Sequence, residues 1–191
     1  MRNVLVPLLA AAAVAVAGCA TDSPAAAPPS STTPPAGTFT DATGALPADS
    51  DPKTAEAGPR AALTVTEIRL GKQPGFDRVV YQFGGTGTPG WDVRYVDQAV
   101  RDGSGRTVDV AGSILEVRIL GAVYPFDTTE VPYAGPDPTT DPGVPEITGV
   151  YKPLVFEGVA QSFIGVRGDR PAFTVSSLTG PTRLVVDIAT G

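Results

Sequence analysis

Histidine is absent from the 191 residues, and cysteine, methionine and tryptophan occur once each. Without imidazole, the Ser-His-Asp and Cys-His arrangements of nucleophilic catalysis are excluded, as are zinc sites built on histidine. A single cysteine excludes an intramolecular disulfide, so the folded part stands on its apolar core alone. The one extended apolar run, residues 4–16, is shorter than the roughly 20 apolar residues that a membrane-spanning helix needs. Basic charge is scarce as well. Fourteen Lys and Arg against twenty Asp and Glu give a net charge of −6, which argues against the basic footprint of a nucleic-acid binder and against electrostatic adhesion to anionic headgroups. The Gly-rich stretch "FGGTGTPGW" has no Lys-Ser/Thr pair and reads as a turn rather than a phosphate-binding loop.

What is present begins with Arg2, the apolar run, and the small residues Ala17 and Gly18 placed before Cys19. This is the layout of a secretory signal peptide over residues 1–18. Val16-Ala17-Gly18-Cys19 resembles the bacterial lipobox, in which the cysteine is acylated and becomes the new N-terminus. On that reading Cys19 is the lipidation site, and its acyl chains, at about 0.8 kcal/mol per buried methylene, anchor the protein to the membrane. The alternative is an ordinary cleaved signal that contains a cysteine.

Residues 19–62 hold eight of the twenty prolines with much Ala, Ser and Thr, and Phe39 is their only aromatic residue. Such a segment buries too little apolar surface to offset its ordering entropy. It is expected to be a disordered tether with a root-mean-square span of roughly 35–40 Å. From residue 63 the pattern changes to short alternating runs of Val, Ile, Leu, Phe and Tyr between Gly, Pro and Asp. The alternation predicts strands over 64–70, 78–83, 91–96, 107–110, 114–120, 154–157, 162–167, 172–176 and 182–188. "RDGSGR" reads as a hairpin loop, and no stretch has a sustained helical period.

One face of these strands carries Val79, Tyr81 and Phe83, then Leu115, Val117 and Ile119, then Leu184, Val186 and Ile188. The other face carries Arg78, Gln82, Glu116, Arg118, Arg183 and Asp187. One apolar and one polar face per strand implies antiparallel sheets covered on one side. Two such sheets make an all-β sandwich over residues 63–191. Residues 127–146 interrupt the rhythm with five acidic residues, five prolines and no basic residue. So long a loop is expected to be a solvated, mobile flap. Its carboxylates offer oxygen ligands to calcium, but their spacing matches no helix–loop–helix calcium loop.

"LTVTEIRLGKQPGFDRVVYQF" and the closing "PTRLVVDIATG" resemble the AMIN family, the β-sandwich module of some N-acetylmuramoyl-L-alanine amidases and secretin-associated proteins. The span 63–189 resembles more closely the AMIN-like domains of actinobacterial lipoproteins. The motifs that carry the resemblance are Gly75-Phe76-Asp77-Arg78-Val79-Val80 and Arg183 to Asp187. It implies a noncatalytic module with no cofactor, targeted to peptidoglycan or to sites of division and secretion. Its partner would be a cell-wall glycan, or alternatively an envelope protein bound through an edge strand or loop.

The residues themselves leave little room for catalysis. A glycosidase-type carboxylate pair would have to come from Asp92, Asp97, Asp109, Glu116 or Glu157, which are scattered over strands and turns. Sugar recognition combines an aromatic face with planar polar groups. The candidates are Trp91, Tyr124, Tyr133 and Tyr151, with Arg78 and Arg94 beside them. Trp91 and Tyr95, alternating with Val93 on one strand, suit core packing better than sugar binding, whereas Tyr133, inside the polar insertion, is expected to be exposed. Arg78 and Arg183 are expected to pair across strands with Asp187 or Glu116, at little gain if exposed. The lipobox reading predicts that the wild-type chain partitions with membranes and takes up a fatty-acid label, and that Cys19→Ser abolishes labelling and leaves soluble or unprocessed protein.

Overall fold

A computed structural model describes residues 46–191. The signal peptide, Cys19 and the first part of the expected tether lie outside the described residues. In chain order the strands are β1 (Lys53–Ala55), β2 (Ala62–Gln73), β3 (Phe76–Thr86), β4 (Gly90–Val96), β5 (Ala99–Val100), β6 (Thr107–Val108), β7 (Ser113–Leu120), β8 (Ile147–Phe156), β9 (Val159–Val166), β10 (Phe173–Leu178) and β11 (Arg183–Ala189). Among the described residues there is no α-helix, only a single 3₁₀ turn at Pro125–Asp127. A five-stranded sheet of order β1-β4-β7-β9-β8 packs on a four-stranded sheet of order β10-β11-β3-β2, and every ladder is antiparallel.

The alternation places the core as read. Val79, Tyr81, Phe83, Leu115, Val117, Ile119, Leu184, Val186 and Ile188 are all buried in one cluster between the sheets. Each such side chain contributes about 1.5–3 kcal/mol by leaving water. Within this cluster the Tyr81 hydroxyl meets Ser162 Oγ at 3.0 Å. Ser162 donates its single proton to the Tyr151 carbonyl at 2.6 Å, so Tyr81 is the donor to Ser162. This chain of bonds ties β3 of one sheet to β9 and β8 of the other. Burial pushes the Tyr81 phenol far above its ordinary pKa.

The β2–β3 hairpin explains one family-like motif. Gln73 pairs with Phe76, leaving Pro74 and Gly75 as a two-residue turn in which Gly75 has φ of 86°. A side chain there would be strained, which is why the run after the proline begins with glycine.

Three expectations about exposure or anchoring are corrected. First, Arg78 and Asp187 are not on a solvated face. They are 2% and 3% exposed, stand directly opposite each other in the β3–β11 register, and form a two-pronged pair, Nε to Oδ1 at 2.6 Å and Nη2 to Oδ2 at 2.8 Å. The guanidinium also lies 5.3 Å from the centre of the Phe76 ring. The cross-strand partner is the one the sequence points to, but the pair is buried at the middle of its sheet.

Second, the outer face of the five-stranded sheet is partly covered. The β5–β6 hairpin, with "RDGSGR" as its loop, folds over β9. Arg101 sits 5.0 Å from the Phe163 ring centre and donates to the Gln161 carbonyl at 2.9 Å. The Gln161 side chain answers by bonding Val100 O, Asp102 N–H and Glu116. Phe163, on the face opposite the inter-sheet core, is thereby fully buried. A two-residue β6 stands where a longer strand is expected.

Third, residues 127–146 are largely exposed, as expected of a solvated loop, but they are not an unanchored flap. Together with 121–126 they form a strap across the gap between the edge strands β2 and β8. Leu63 N–H donates to Gly121 O, Val123 N–H to Leu63 O, and Tyr133 N–H to Val65 O, while Thr139 and Val150 exchange both backbone bonds. Tyr133 and Val144 enter the core cluster. At its far end the Glu146 N–H donates to Asp77 Oδ2 at 3.0 Å, and Asp77 is fully buried. Desolvation raises the pKa of that carboxyl above its usual range. The five prolines that suggested a loose loop instead reduce the entropy lost on ordering it.

The folded part also begins earlier than residue 63. Within the expected tether, β1 pairs with β4, Asp49 O accepts from Phe173 N–H, and Gly58 N–H donates to Thr88 O. Backbone pairing with the sheet edge supplies what the side chains of this stretch do not. Strand β8 likewise starts at Ile147 rather than near 154. The buried ion pair yields a prediction. Arg78→Met leaves the Asp187 carboxylate uncompensated and lowers unfolding free energy by about 3–5 kcal/mol, whereas Arg78→Met with Asp187→Leu recovers most of it, as read from denaturant unfolding curves.

Candidate ligand cleft and its aromatic rim

The two sheets diverge at β2 and β8, and the strap bridges the gap without filling it. What remains is a cleft of about 340 Å³. Its walls are Leu63 and Val65 from β2, Pro153, Leu154 and Val155 from β8, and Ala160 from β9, with Val123, Pro125, Pro132 and Tyr133 of the strap closing it. The ladder between β8 and β9 slips between Tyr151 and Leu154. That bulge accommodates Lys152 and Pro153, and Pro153 has no N–H to offer a further strand. Lys152 and Thr64 are the polar members of the lining besides Tyr133, and the buried Thr64 hydroxyl has no hydrogen-bond partner among the described residues.

Gly121 makes the strap's departure possible. It has φ of 85°, and a Cβ there would approach the Ala61 side chain at 2.7 Å, so only glycine lets the chain leave β7 and run beside β2. A few residues on, Tyr124 and Phe126 stack with ring centres 5.1 Å apart and planes 7° from parallel. The Tyr124 hydroxyl accepts the Glu157 N–H at 3.0 Å, which fixes its ring. Phe126 is 81% exposed. Val131 and Leu154 are also exposed; Leu154 lines the cleft, and Val131 and Phe126 adjoin in sequence its lining residues Pro132 and Pro125.

The residues singled out from sequence fall in different places. Tyr124 lies between the cleft-lining residues Val123 and Pro125, and Tyr133 forms part of the cleft wall, but Tyr133 is 9% exposed, not solvated. Its hydroxyl bonds Thr139 Oγ1 at 2.6 Å and approaches Pro136 O at 3.3 Å, so it staples the strap rather than presenting a ring face. Trp91 is half-buried on β4 and packs against the core. Tyr151 donates to Asp109 O at 2.7 Å. Arg78 is buried with Asp187, and Arg94 is exposed, bonding Asp92 at 2.8 Å. These side chains do not converge on one site.

The carboxylates have other partners too. Asp92 and Glu116 face Arg94, Glu116 also lies near Arg118, and Asp97 pairs with Arg170. Among the described residues no group of three acidic or thiol side chains could hold a metal ion. Sequence reasoning missed Phe126, Lys152 and Leu154. Phe126 follows Pro125 in "VYPFD", and an aromatic residue after proline at the start of a polar loop is the signal that marks it.

A family model described as AMIN-like domain matches residues 63–190. No curated protein and no solved structure matches the chain. Burial separates the two ring candidates experimentally. Tyr133→Ala is expected to cost about 3–5 kcal/mol of stability through the cavity it leaves, and Phe126→Ala to change it by less than about 0.5 kcal/mol, with both read from chemical denaturation.

Proposed function

The chain belongs to the AMIN-like domain family, and from that premise we propose that it is a noncatalytic cell-envelope lipoprotein, acylated at Cys19, whose domain binds peptidoglycan or another wall glycan. AMIN-like domains are noncatalytic binding modules with a role at the cell wall. The observation that carries the glycan reading is the Tyr124–Phe126 stack. Tyr124 covers one face of Phe126, and its hydroxyl is held by the Glu157 amide, so the exposed ring is held in place without a ligand. The C–H face of a pyranose packs on such a ring because its slightly positive hydrogens meet the negative π-face.

A second reading, a protein partner, is favoured by the exposed apolar residues Val131 and Leu154, of which Leu154 lines the cleft and Val131 precedes the lining residue Pro132. A strand added at the outer edge of β8 is opposed by Pro153, so a protein partner would dock on the strap instead.

The domain from residue 63 is itself acidic, with 11 basic and 15 acidic groups. Long-range attraction to phosphate-rich wall polymers therefore contributes nothing, and glycan binding is expected to vary little with salt. The full chain carrying Cys19→Ser is expected to sediment with purified peptidoglycan at low and high ionic strength. Phe126→Ala reduces the sedimented fraction and Phe126→Trp preserves it. Failure of the folded chain to sediment at any salt concentration would replace the glycan reading with the protein partner.

A further inference from the structure

A sugar laid on Phe126 leaves the cleft behind it unused. That cleft is lined by apolar side chains, among them Leu63, Val65, Leu154 and Val155, and a saccharide covered in hydroxyls would lose its hydration there without finding partners. One charged residue, Lys152, stands in the lining, and no carboxylate does. In a chain of net charge −6 the lining thus presents a cation and no anion. The nearest acidic side chain recorded at Lys152, Asp137, is engaged with its backbone N–H at 2.8 Å. Among the described residues the Lys152 ammonium forms no ion pair.

We propose that the cleft between β2 and β8 binds a single-chain amphiphile with an anionic head group, its alkyl chain between Leu63, Val65, Leu154 and Val155 and its carboxylate or phosphate on Lys152. Size supports one chain. A methylene group is close to a water molecule in size, and water's share of the liquid is about 30 Å³, so 340 Å³ holds about eleven such groups. The chain's net charge of −6 opposes approach to an anionic bilayer surface, which favours a free amphiphile over a membrane surface. The apolar walls supply affinity and the single cation selects the head. This assignment stands apart from the glycan reading, because it uses the cleft interior and not the outer face of Phe126.

The test is calorimetric titration of the full chain carrying Cys19→Ser, in detergent-free buffer and below micelle-forming concentrations. The probes are dodecyl phosphate, dodecyltrimethylammonium and butyl phosphate. The proposal expects one dodecyl phosphate per chain, with the cationic amphiphile bound about tenfold more weakly or less, as one charge-assisted contact allows, and butyl phosphate not bound. Lys152→Gln removes the preference for the anionic head, Lys152→Arg retains it, and Leu154→Ser, at a half-exposed position that does not carry the fold, weakens both dodecyl ligands. Lys152→Gln leaves sedimentation with peptidoglycan unchanged. Equal affinity for both head groups, butyl phosphate bound as tightly as dodecyl phosphate, no effect of Lys152→Gln in a chain with wild-type melting, or binding only to phosphatidylglycerol vesicles would each overturn the proposal.

Discussion

Two antiparallel sheets that face each other without closing into a barrel leave edge strands whose backbone N–H and C=O groups need partners. In this protein that requirement is met differently on the two sides. Where β1 and β4 lie near β10, the gap is narrowed by direct contact: Tyr95 meets Phe173 edge-on at 5.6 Å, and the Tyr95 hydroxyl donates to Pro171 O at 2.8 Å. Where β2 and β8 diverge, the segment that joins β7 to β8 fills the role. The strap borrows the edge hydrogen bonds of Leu63, Val65 and Val150, and the cleft exists because a strap of extended backbone spans the opening without the side-chain bulk of another sheet layer. Edge protection and site formation are one structural event.

Buried polar contacts then fix which arrangement of the two sheets is adopted. Apolar packing alone tolerates slippage, but moving β3 by one residue against β11 would separate Arg78 from Asp187 and place both against apolar neighbours. The Tyr81–Ser162–Tyr151 chain does the same between sheets, because its hydroxyls find partners only in one alignment. With no disulfide available to pin the sandwich, these contacts supply specificity that apolar area does not.

How far the sequence discloses this depends on the range of the interaction. A period of two is local, so the inward faces of β3, β7 and β11 are readable from nine residues alone. The turn at Pro74-Gly75 and the hairpin loop at "RDGSGR" are readable for the same reason, since backbone chemistry within four to six residues determines them. Exposure is not local. Arg78 and Asp187 look like solvated positions until their register, 109 residues apart in sequence, brings a guanidinium onto a carboxylate. Composition misleads in the strap as well: acidic residues and prolines signal solvent, yet Tyr133 and Val144 are two apolar anchors spaced far enough apart to be overlooked, and the strap's hydrogen bonds are to strands distant in sequence. Strand β1 escapes notice for a related reason, because its three residues are held by the β4 backbone rather than by any side-chain pattern.

The same non-local anchoring determines how the cleft would respond to a ligand. A loop that must be ordered on binding subtracts that cost from affinity. Here the strap is held before any ligand arrives, by Tyr133 on Thr139 and Pro136, by Glu146 on Asp77, and by backbone bonds to both edges. The rim ring pair is held likewise through Tyr124 and Glu157. The side chains that lie outside the core are the exposed Phe126, Val131 and Leu154, which fold stability does not require to be apolar. Apolar side chains kept where they contribute least to the core, around an opening whose frame is rigid, are placed where contact with something outside the domain accounts for them better than packing within it.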